Sequence, residues 1–436
     1  MCDLVVENEE FQDSPLGKIP KDWEVSPIED KLQRIIDYRG KTPEKTTSGV
    51  PLVTAKNVRD GYLDTEPQEY INEKDYDLWM RRGLPNPGDV LFTTEAPLGN
   101  VARVPSYKIA LAQRLLTLCP NPNELDAGYL FWLLNWLDSR QKFEQKSTGS
   151  TVLGIKQSVF RKILFRFPPL PEQQRIAEIL DKVDNAIAHT ASLISKLKQI
   201  KAGLLHDLLT RGLDENGQLR NPQAHPEQFQ DSPLGMIPKD WNIVDLLSLC
   251  DKITDGSHQS VKTSDSGVPF LYVSCVRDGQ ILWEQAAKIS EKIYIEISKG
   301  REPLQGLILY TAVGSYGHAA LVKNNRKFSF QRHIAYVLPN IEIIIPEYLV
   351  TFLNSSHCRK YADKVALGNA QKTVTLNALS SFPIVLPEWE EQQRITEIIN
   401  KHDTRICKEE AYLNKLKLQK QGLIHDLLTG KVRVKN

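Results

Sequence analysis

The sequence predicts an α+β protein built from two related globular modules, each followed by a long helix. Three observations lead to this prediction: a duplicated sequence frame, two heptad patterns of apolar residues, and short β-rich runs separated by turn residues in both copies. At 436 residues the chain is long enough for two or three domains with cores of their own, and the duplication sets the number of globular units at two.

The duplicated frame consists of short, nearly identical blocks that recur after about 218 residues. A period of this length indicates a domain duplication and not a solenoid, whose repeats are about 20–50 residues long. The stretches between the blocks, here called the fillings, share only a few short motifs. This suggests one frame that presents two different recognition surfaces. The paired blocks are FQDSPLGKIPKDW at Phe11–Trp23 and FQDSPLGMIPKDW at Phe229–Trp241, EQQRI at Glu172–Ile176 and Glu391–Ile395, and GLLHDLLT at Gly203–Thr210 and GLIHDLLT at Gly422–Thr429.

Two heptad patterns predict the long helices, with prolines before each pattern and Gly212 or Gly430 after it. A narrow seam this long favours pairing of the two helices, and polar residues at shared registers, such as Thr190 with Glu409 and Lys201 with Lys420, are a device for fixing alignment. The alternative is that each helix packs on its own domain. The predicted helix-pairing residues are Ile176, Leu180, Val183, Ile187, Ile194, Leu197, Leu204 and Leu208 in the first copy, and Ile395, Ile399, Ile406, Leu413, Leu416, Leu423 and Leu427 in the second.

The geometry of such helices has a functional consequence. A helix of about 35 residues spans roughly 50 Å at 1.5 Å per residue, and a length of that order covers about 15 base pairs of DNA. If the helices run antiparallel, a pseudo-two-fold axis relates the modules, and identical modules would read an inverted repeat. Because the two fillings have diverged, we expect the half-sites to differ in sequence.

Each filling alternates short β-rich runs with turns. Asp-Gly follows an extended run in both copies, at Asp60-Gly61 and Asp278-Gly279, and indicates hairpins. Helix-like segments at Tyr129–Leu134 and Tyr348–Leu353 follow, and then polar loops. This order predicts an α+β domain in each copy.

Candidate DNA-binding residues are polar and basic side chains on the predicted loops, because such side chains read base edges and bind phosphates. For Arg59 and Arg277 a structural ion pair is an equal alternative, and Gln113-Arg114, aligned with Gln331-Arg332, favours framework duty or phosphate contact. Positions that differ between the copies, such as Asn100 against His318, are better candidates for specificity. The first set is Arg39, Lys41, Lys56, Asn57, Arg59, Thr94, Asn100, Gln113, Arg114, Ser147, Thr148, Ser150 and Thr151; the second is His258, Arg277, Ser315, Tyr316, His318, Gln331, Arg332, Asn369, Gln371 and Lys372.

Charge and cysteine usage limit the function classes. A net charge of +1 is mild evidence against a free-standing DNA-binding protein. Basic stretches at 31–60, 136–166 and 310–333, inside the fillings, are either solvated faces or phosphate-facing surfaces. The six scattered cysteines indicate neither disulfides nor zinc, which fits a reducing cytoplasm. The sequence shows no secretory signal and no apolar run of about 18 residues, so we expect no membrane span.

Motifs of catalysis are missing from the sequence. An amino-methyltransferase would need an Asn- or Asp-Pro-Pro-aromatic run and a glycine-rich cofactor loop after a strand, and neither occurs. Gly314-Ser315-Tyr316-Gly317 lacks the strand–loop–helix order of a nucleotide loop, and there is no Walker lysine loop. We therefore expect no catalytic residues, metal site or cofactor in this chain.

The whole chain resembles the specificity subunit of type I restriction–modification enzymes. The resemblance rests on the order of module, helix, module and helix and on five motifs: Asp37–Pro43 (DYRGKTP), Asp255–His258 (DGSH), Pro87–Leu91 (PGDVL), Pro168–Gln173 (PPLPEQ) and Leu427–Val434 (LLTGKVRV). It implies two target recognition domains joined by an antiparallel coiled coil of conserved helices that acts as a spacer. It also implies binding to double-stranded DNA, docking of two methyltransferase subunits and association with motor–nuclease restriction subunits. S-adenosylmethionine, ATP and Mg²⁺ are then expected only in those partners.

This interpretation divides the chain as follows: target recognition domain 1 at 1–168, spacer helix 1 at 169–212, a linker at 213–228, target recognition domain 2 at 229–387, and spacer helix 2 with a C-terminal tail at 388–436. The predicted function is that of a non-catalytic subunit that reads a bipartite, asymmetric DNA site. One alternative is a coiled-coil scaffold whose globular domains bind proteins instead of DNA. Another is a fused methyltransferase.

Overall fold

The computed structural model describes residues 10–38, 42–149, 152–277, 279–369 and 371–434, together with the backbone of Leu4 and Val5. The chain folds as two compact units, one formed by Met1–Ser192 with Ala411–Asn436 and the other by Leu193–Glu410. Each unit holds one β-rich module and a part of each long helix. The domain limits given above at 168, 212, 228 and 387 remain predictions.

The long helices span 41 residues each, α5 at Leu170–Thr210 and α10 at Trp389–Thr429. The helix-like segments predicted in the fillings lie in α2 and α7. The Asp126 carboxylate caps α2 by accepting a hydrogen bond from the Tyr129 amide at 2.8 Å, and Pro346 occupies the first turn of α7. The helices are α1 Tyr76–Trp79, α2 Ala127–Asn135, α3 Leu137–Gln145, α4 Gln157–Phe160, α5, α6 Glu291–Ser298, α7 Pro346–Leu353, α8 Ser356–Val365, α9 Leu376–Ser380 and α10.

In the first module, a four-stranded antiparallel sheet of order β5-β11-β8-β9 lies beside a three-stranded sheet of order β10-β6-β7. Three two-stranded pairs, β2-β3, β4-β12 and β1 with a C-terminal strand at Arg433–Val434, complete this unit. The strands are β1 Leu4–Val5, β2 Phe11–Ser14, β3 Gly17–Pro20, β4 Glu24–Pro27, β5 Leu32–Asp37, β6 Val50–Val53, β7 Tyr70–Ile71, β8 Val90–Thr93, β9 Val101–Arg103, β10 Ala110–Leu111, β11 Leu115–Pro120 and β12 Leu164–Phe167.

The second module repeats this topology, with sheets of order β16-β24-β21-β22 and β20-β17-β23. In both copies the three-stranded sheet contains one parallel pair, β6 with β10 and β17 with β23. Its strands are β13 Phe229–Gln230, β14 Ile237–Pro238, β15 Asn242–Asp245, β16 Cys250–Asp255, β17 Val268–Leu271, β18 Val276–Arg277, β19 Gln280–Ile281, β20 Ala287–Ile289, β21 Ile308–Thr311, β22 Ala319–Leu321, β23 Ser329–Phe330, β24 Ile334–Pro339 and β25 Pro383–Leu386. The last strand of the chain, β26 Arg433–Val434, belongs to the first unit. The prediction of two related α+β modules is confirmed.

The four-stranded sheets are covered on both faces, which explains their continuous apolar runs. In β8, Val90 and Phe92 join the core formed with α2 and the start of α5, whereas Leu91 points into the core shared with the three-stranded sheet. In β21, Tyr310 and Leu309 divide in the same way between two cores.

The repeated blocks form a buried frame at the base of each unit. In the first unit, the Glu172 carboxylate accepts hydrogen bonds from Trp23 Nε1 at 3.0 Å and Arg433 Nε at 2.8 Å. The side chain of Gln12 donates to the carbonyl oxygens of Lys21 and Trp23, both at 3.0 Å. The FQDSPLG, PKDW and EQQRI blocks therefore have a structural role, which explains why both copies contain them.

The second unit builds the same frame from the second copies. The Glu391 carboxylate accepts from Trp241 Nε1 at 2.9 Å and from Arg220 at 2.9 Å, and Gln230 donates to the Trp241 carbonyl oxygen at 3.2 Å. Gly212, with φ +63°, ends α5 against this frame, and a Cβ there would lie 2.3 Å from the Trp241 ring. The glycine predicted as a helix stop therefore also permits close approach.

Within each unit, the two long helices are joined by an ion pair at an equivalent position. Asp184 pairs with Lys420 at 2.5 Å in the first unit, and Asp403 pairs with Lys201 at 2.5 Å in the second. The polar positions at shared registers thus include two interhelical ion pairs. Among the fifteen predicted helix-pairing residues, ten are buried and five half-buried; the half-buried ones are Val183, Ile187, Leu204, Leu413 and Leu423.

Candidate nucleic-acid interface

A cleft of about 560 Å³ in the first module brings together four of the predicted DNA-binding residues. They come from three chain segments: the end of β8, the turn before β11 and the polar loop after α3. The cleft therefore has polar and basic walls on a rigid sheet, which suits contact with a nucleic acid. Its lining residues are Thr94, Glu95, Gln113, Arg114, Thr148, Val152, Gly154, Ile155 and Lys156.

The polar loop that borders the cleft is closed by paired backbone hydrogen bonds. The Thr148 amide donates to the Gly154 carbonyl oxygen at 2.9 Å, and the Gly154 amide donates back at 3.1 Å. In the second module, Leu367 and Thr373 exchange the same pair of bonds at 2.9 and 2.8 Å, which closes the loop that carries Asn369, Gln371 and Lys372. Both predicted polar loops are thus held at their bases by the backbone.

Arg114 is the most distinctive residue of the cleft. Its backbone has φ +70°, a left-handed conformation that non-glycine residues seldom adopt. Arg114 Nε lies 2.8 Å from Oε1 of Glu95, and both side chains are substantially exposed. Gln113, beside it, donates to Thr42 Oγ1 at 3.4 Å.

Two asparagines predicted to contact DNA bond to backbone groups of their own module. Asn57 is buried, and its amide nitrogen donates to the carbonyl oxygens of Asp64 and Pro67, both at 3.2 Å. Asn100 donates to the Val58 carbonyl oxygen at 2.9 Å. The amide nitrogens of both residues are thus bonded within the module, and a role of either residue in reading bases stays a prediction.

The other predicted DNA-binding residues of the first module differ in whether their side chains bond to the protein. Arg59 Nε pairs with Asp64 at 3.1 Å, which realises the structural alternative, and Lys56 is exposed. Ser147 Oγ donates to the Glu144 carbonyl oxygen at 2.7 Å. Arg39, Lys41, Ser150 and Thr151 lie outside the described residues.

In the second module, Arg277 joins two other candidates in a single cluster. Its guanidinium donates to Ser315 Oγ at 2.7 Å and lies 2.8 Å from His318 Nε2. On the opposite side of the imidazole, Arg359 lies 3.3 Å from Nδ1 and donates to the Gly317 carbonyl oxygen at 3.0 Å. His318 is thus 9% exposed and fixed between two guanidinium groups.

Other second-module candidates lie on exposed loops. Tyr316 donates to Asp363 Oδ1 at 2.6 Å, a bond that raises the pKa of this tyrosine. His258 lies 2.5 Å from the Asp255 carboxylate. The set Arg332, Asn369, Gln371 and Lys372 is exposed, and Gln331 is half-buried.

The alignment of Gln113-Arg114 with Gln331-Arg332 is wrong by one residue. The Thr94 amide donates to the Arg114 carbonyl oxygen at 3.1 Å, and the equivalent Ala312 amide donates to that of His333 at 2.9 Å. Arg114 therefore corresponds to His333. The β9–β10 connection at 104–109 is one residue shorter than its counterpart at 322–328, and this difference shifts the register.

Sequence reasoning did not single out four residues that contribute to these sites. Glu95 and Lys156 line the first cleft, and Arg359 and Asp363 hold His318 and Tyr316 in the second module. Only Lys156 had a signal, since it falls within a basic stretch. Among the described residues, no group of three or more His, Cys, Asp or Glu side chains could hold a metal ion, and no described helix is long and apolar enough to cross a membrane.

Comparison with known proteins identifies relatives along the whole chain. The model of the type I restriction modification DNA specificity domain matches residues 20–199 and 238–418. The chain is 26% identical to the type I restriction enzyme MjaVIII specificity subunit of Methanocaldococcus jannaschii, over 98% of this chain and 97% of that protein. It is 24% identical to the EcoKI specificity subunit of Escherichia coli strain K12, over 87% and 82% of the respective chains.

Solved structures share the fold. The crystal structure of the type I restriction–modification S subunit from M. genitalium matches with a TM-score of 0.58 at 12% identity, covering 98% of this chain and 99% of the other. A chain from a study of complex assembly and conformational transition in the type I system matches with a TM-score of 0.53 at 17% identity, over 95% and 99%.

Proposed function

Because this chain belongs to the type I restriction modification DNA specificity domain family, we propose that it reads a bipartite, asymmetric DNA site for a methyltransferase and restriction complex. The observation that carries this proposal is a repeated frame with different side chains at equivalent surface positions. The frame residues Glu172 and Glu391 make equivalent contacts in the two units, whereas the surface loops carry different side chains.

The loops illustrate the difference between the modules. Val152 and Leu153, both exposed, lie in the first loop, where the second loop has Gln371 and Lys372. Apolar side chains contact the thymine methyl group, whereas glutamine and lysine bind base edges through hydrogen bonds. Two modules with such loops favour different half-site sequences.

The helices support a spacer between the two readers. Each has 41 residues and so spans about 60 Å at 1.5 Å per residue. The ion pairs Asp184–Lys420 and Asp403–Lys201 occupy equivalent positions in the two units, as expected if the helices run antiparallel. We infer an antiparallel coiled coil with pseudo-two-fold symmetry, whose length sets the separation of the half-sites.

Catalysis in this proposal belongs to the partners. Two methyltransferase subunits dock on the chain and use S-adenosylmethionine, and motor–nuclease subunits use ATP and Mg²⁺. The chain itself supplies no catalytic residue and acts by placing its partners on a chosen sequence. A complex in which only one subunit reads DNA gains a new specificity by changing that subunit alone.

The test is methylome sequencing of a host that expresses this chain with its neighbouring methyltransferase. We expect one motif with two unlike halves at a fixed spacing. Exchange of Lys31–Pro168 for the filling of another specificity subunit should change one half only, and a change in helix length should alter only the spacing. A continuous motif, a perfect palindrome or a change in both halves after the exchange contradicts the proposal.

A protein-binding scaffold is the second candidate, and the net charge of +1 favours it. The two functions differ in their response to salt. DNA binding through phosphate contacts weakens steeply as salt rises, whereas an apolar protein interface responds little. Titration of the assembled complex against DNA at several salt concentrations separates the two candidates.

A further inference from the structure

Arg114 and His333 occupy the same place in the two modules, but their neighbours differ in charge. The residue that follows Thr94 is Glu95, which pairs with Arg114; its counterpart in the second module is Val313. Glu95 and Val313 also form equivalent bridges, to Gly154 and Thr373 respectively. The chain therefore has a guanidinium–carboxylate pair at one site; at the other, an imidazole lies 3.4 Å from Arg332 Nε and valine replaces the glutamate.

The Glu95–Arg114 pair is too exposed to serve mainly stability. The two side chains are 40% and 53% exposed, and ion pairs between exposed groups contribute little to folding. The backbone at Arg114 nevertheless adopts φ +70°. Strained backbone at a cleft is typical of functional positions, so the conformation and the ion pair together orient the guanidinium.

We propose that Arg114, held in position by Glu95, reads a guanine in the first half-site, an inference that rests on the proposed function. The ion pair joins Nε of Arg114 to Glu95 Oε1 at 2.8 Å. A guanidinium held at Nε can bond to guanine O6 and N7 through its two terminal nitrogens. The Glu95 carboxylate repels phosphate oxygens, which disfavours a backbone contact at this position. Glu95 is a positioning residue, and Arg114 is the specificity-determining residue.

Lys156 lines the same cleft, but its side chain suits a phosphate contact and not the base contact proposed for Arg114. It is exposed at the start of α4, and a flexible ammonium group favours phosphate over a single base. We therefore assign Lys156 to the DNA backbone. Loss of a phosphate contact weakens binding to all sequences about equally and lowers the salt slope by about 1, whereas loss of a base contact relaxes one position of the motif.

The second module should not share this preference. Burial, followed by the charge of Arg332, lowers the pKa of His333, so its imidazole is neutral near neutral pH. A neutral imidazole can both donate and accept a hydrogen bond, unlike a guanidinium. The two half-sites consequently differ at the position that these equivalent residues face.

The test compares the methylated motifs directed by the parent chain and by the variants Arg114→Gly, Glu95→Gln and Lys156→Ala, each with the neighbouring methyltransferase. Glycine suits φ +70° and keeps the variant folded. Arg114→Gly and Glu95→Gln should relax the same guanine of one half-site, with discrimination lowered roughly ten- to hundredfold. Lys156→Ala should lower methylation at all sites and leave the motif unchanged. Glu69→Gln, which removes an ion pair with Lys45 outside the cleft, is the matched control and should change nothing.

Three results would overturn the inference: an unchanged motif in Arg114→Gly, a uniform loss with a reduced salt slope, or relaxation at different positions in Arg114→Gly and Glu95→Gln. Thermal unfolding of each variant establishes that it is folded. If the parent chain directs no two-part motif, the proposed function itself is wrong; if it does and the variants behave as Glu69→Gln does, only the assignment of Arg114 and Glu95 is wrong.

Discussion

Replacing Arg433 by methionine should destabilise the first unit more than any single change at its surface. The Arg433 guanidinium bonds to both carboxylate oxygens of Glu172, at 2.8 and 2.9 Å, and the two side chains are 13% and 6% exposed. Removing one partner of a buried ion pair costs about 3–5 kcal/mol, because the other charge stays buried without compensation.

The lower end of that range applies here. Without Arg433, the Glu172 carboxylate still accepts from Trp23 Nε1 at 3.0 Å and from the Val434 amide at 3.3 Å. We therefore expect a loss of about 3 kcal/mol in the free energy of unfolding. The double variant Arg433→Met with Glu172→Gln should recover part of it, since a neutral amide needs less compensation than a carboxylate.

Hydrogen exchange of the Phe11–Trp23 segment, followed by mass spectrometry, measures this loss within the unit concerned. Lys45→Ala serves as the control, because its ion pair with Glu69 is 2.8 Å long but more exposed, and its removal should cost about 0.5 kcal/mol or less. If Arg433→Met lowered protection no more than Lys45→Ala, the frame would not depend on the buried charge.

Two further predictions concern the helices and a histidine of the second unit. Lys420→Asp should destabilise the first unit through repulsion of Asp184, and the added change Asp184→Lys should restore most of the loss; a double-mutant cycle by chemical denaturation should give a coupling of about 0.5–1 kcal/mol. Burial, then His206 and Lys360, lowers the pKa of His357 below its usual 6.5. Below that pH the unfolded chain binds a proton that the folded chain does not, so stability should fall from pH 7 to pH 5 and fall less in His357→Gln; identical pH profiles of thermal unfolding would contradict this.

The long helices were predictable because their signals are local and repeated. Prolines before Leu170, the heptad pattern and Gly212 all act within a few residues, and the structure begins and ends α5 at Leu170 and Thr210. The two-module α+β fold followed from the duplication in the same way. The buried frame was not predicted, because it joins blocks that lie far apart in sequence, such as Trp23 and Glu172.

For the candidate site, the sequence predicted which loops form the surface but not the contacts that individual residues make. Residue type does not reveal which asparagines also bond to the protein backbone, as the amide nitrogens of Asn57 and Asn100 do. The identical dipeptides Gln113-Arg114 and Gln331-Arg332 led to a wrong alignment. The connection before β10 is one residue shorter than its counterpart, and this shifts the register between the modules. Glu95 had no signal, since its importance arises from the position of Arg114.

The origin of the arginine in each frame explains why the repeated blocks are needed in both copies. In the first unit Glu172 starts α5, but Arg433 follows α10; in the second unit Glu391 starts α10, but Arg220 follows α5. Each frame therefore requires the segment after the other helix. A filling can be exchanged without loss of stability only if Trp23, Glu172 and Arg433, or their counterparts, remain in place. This requirement confines variation to the surfaces between the blocks, where Arg114 and His333 already differ.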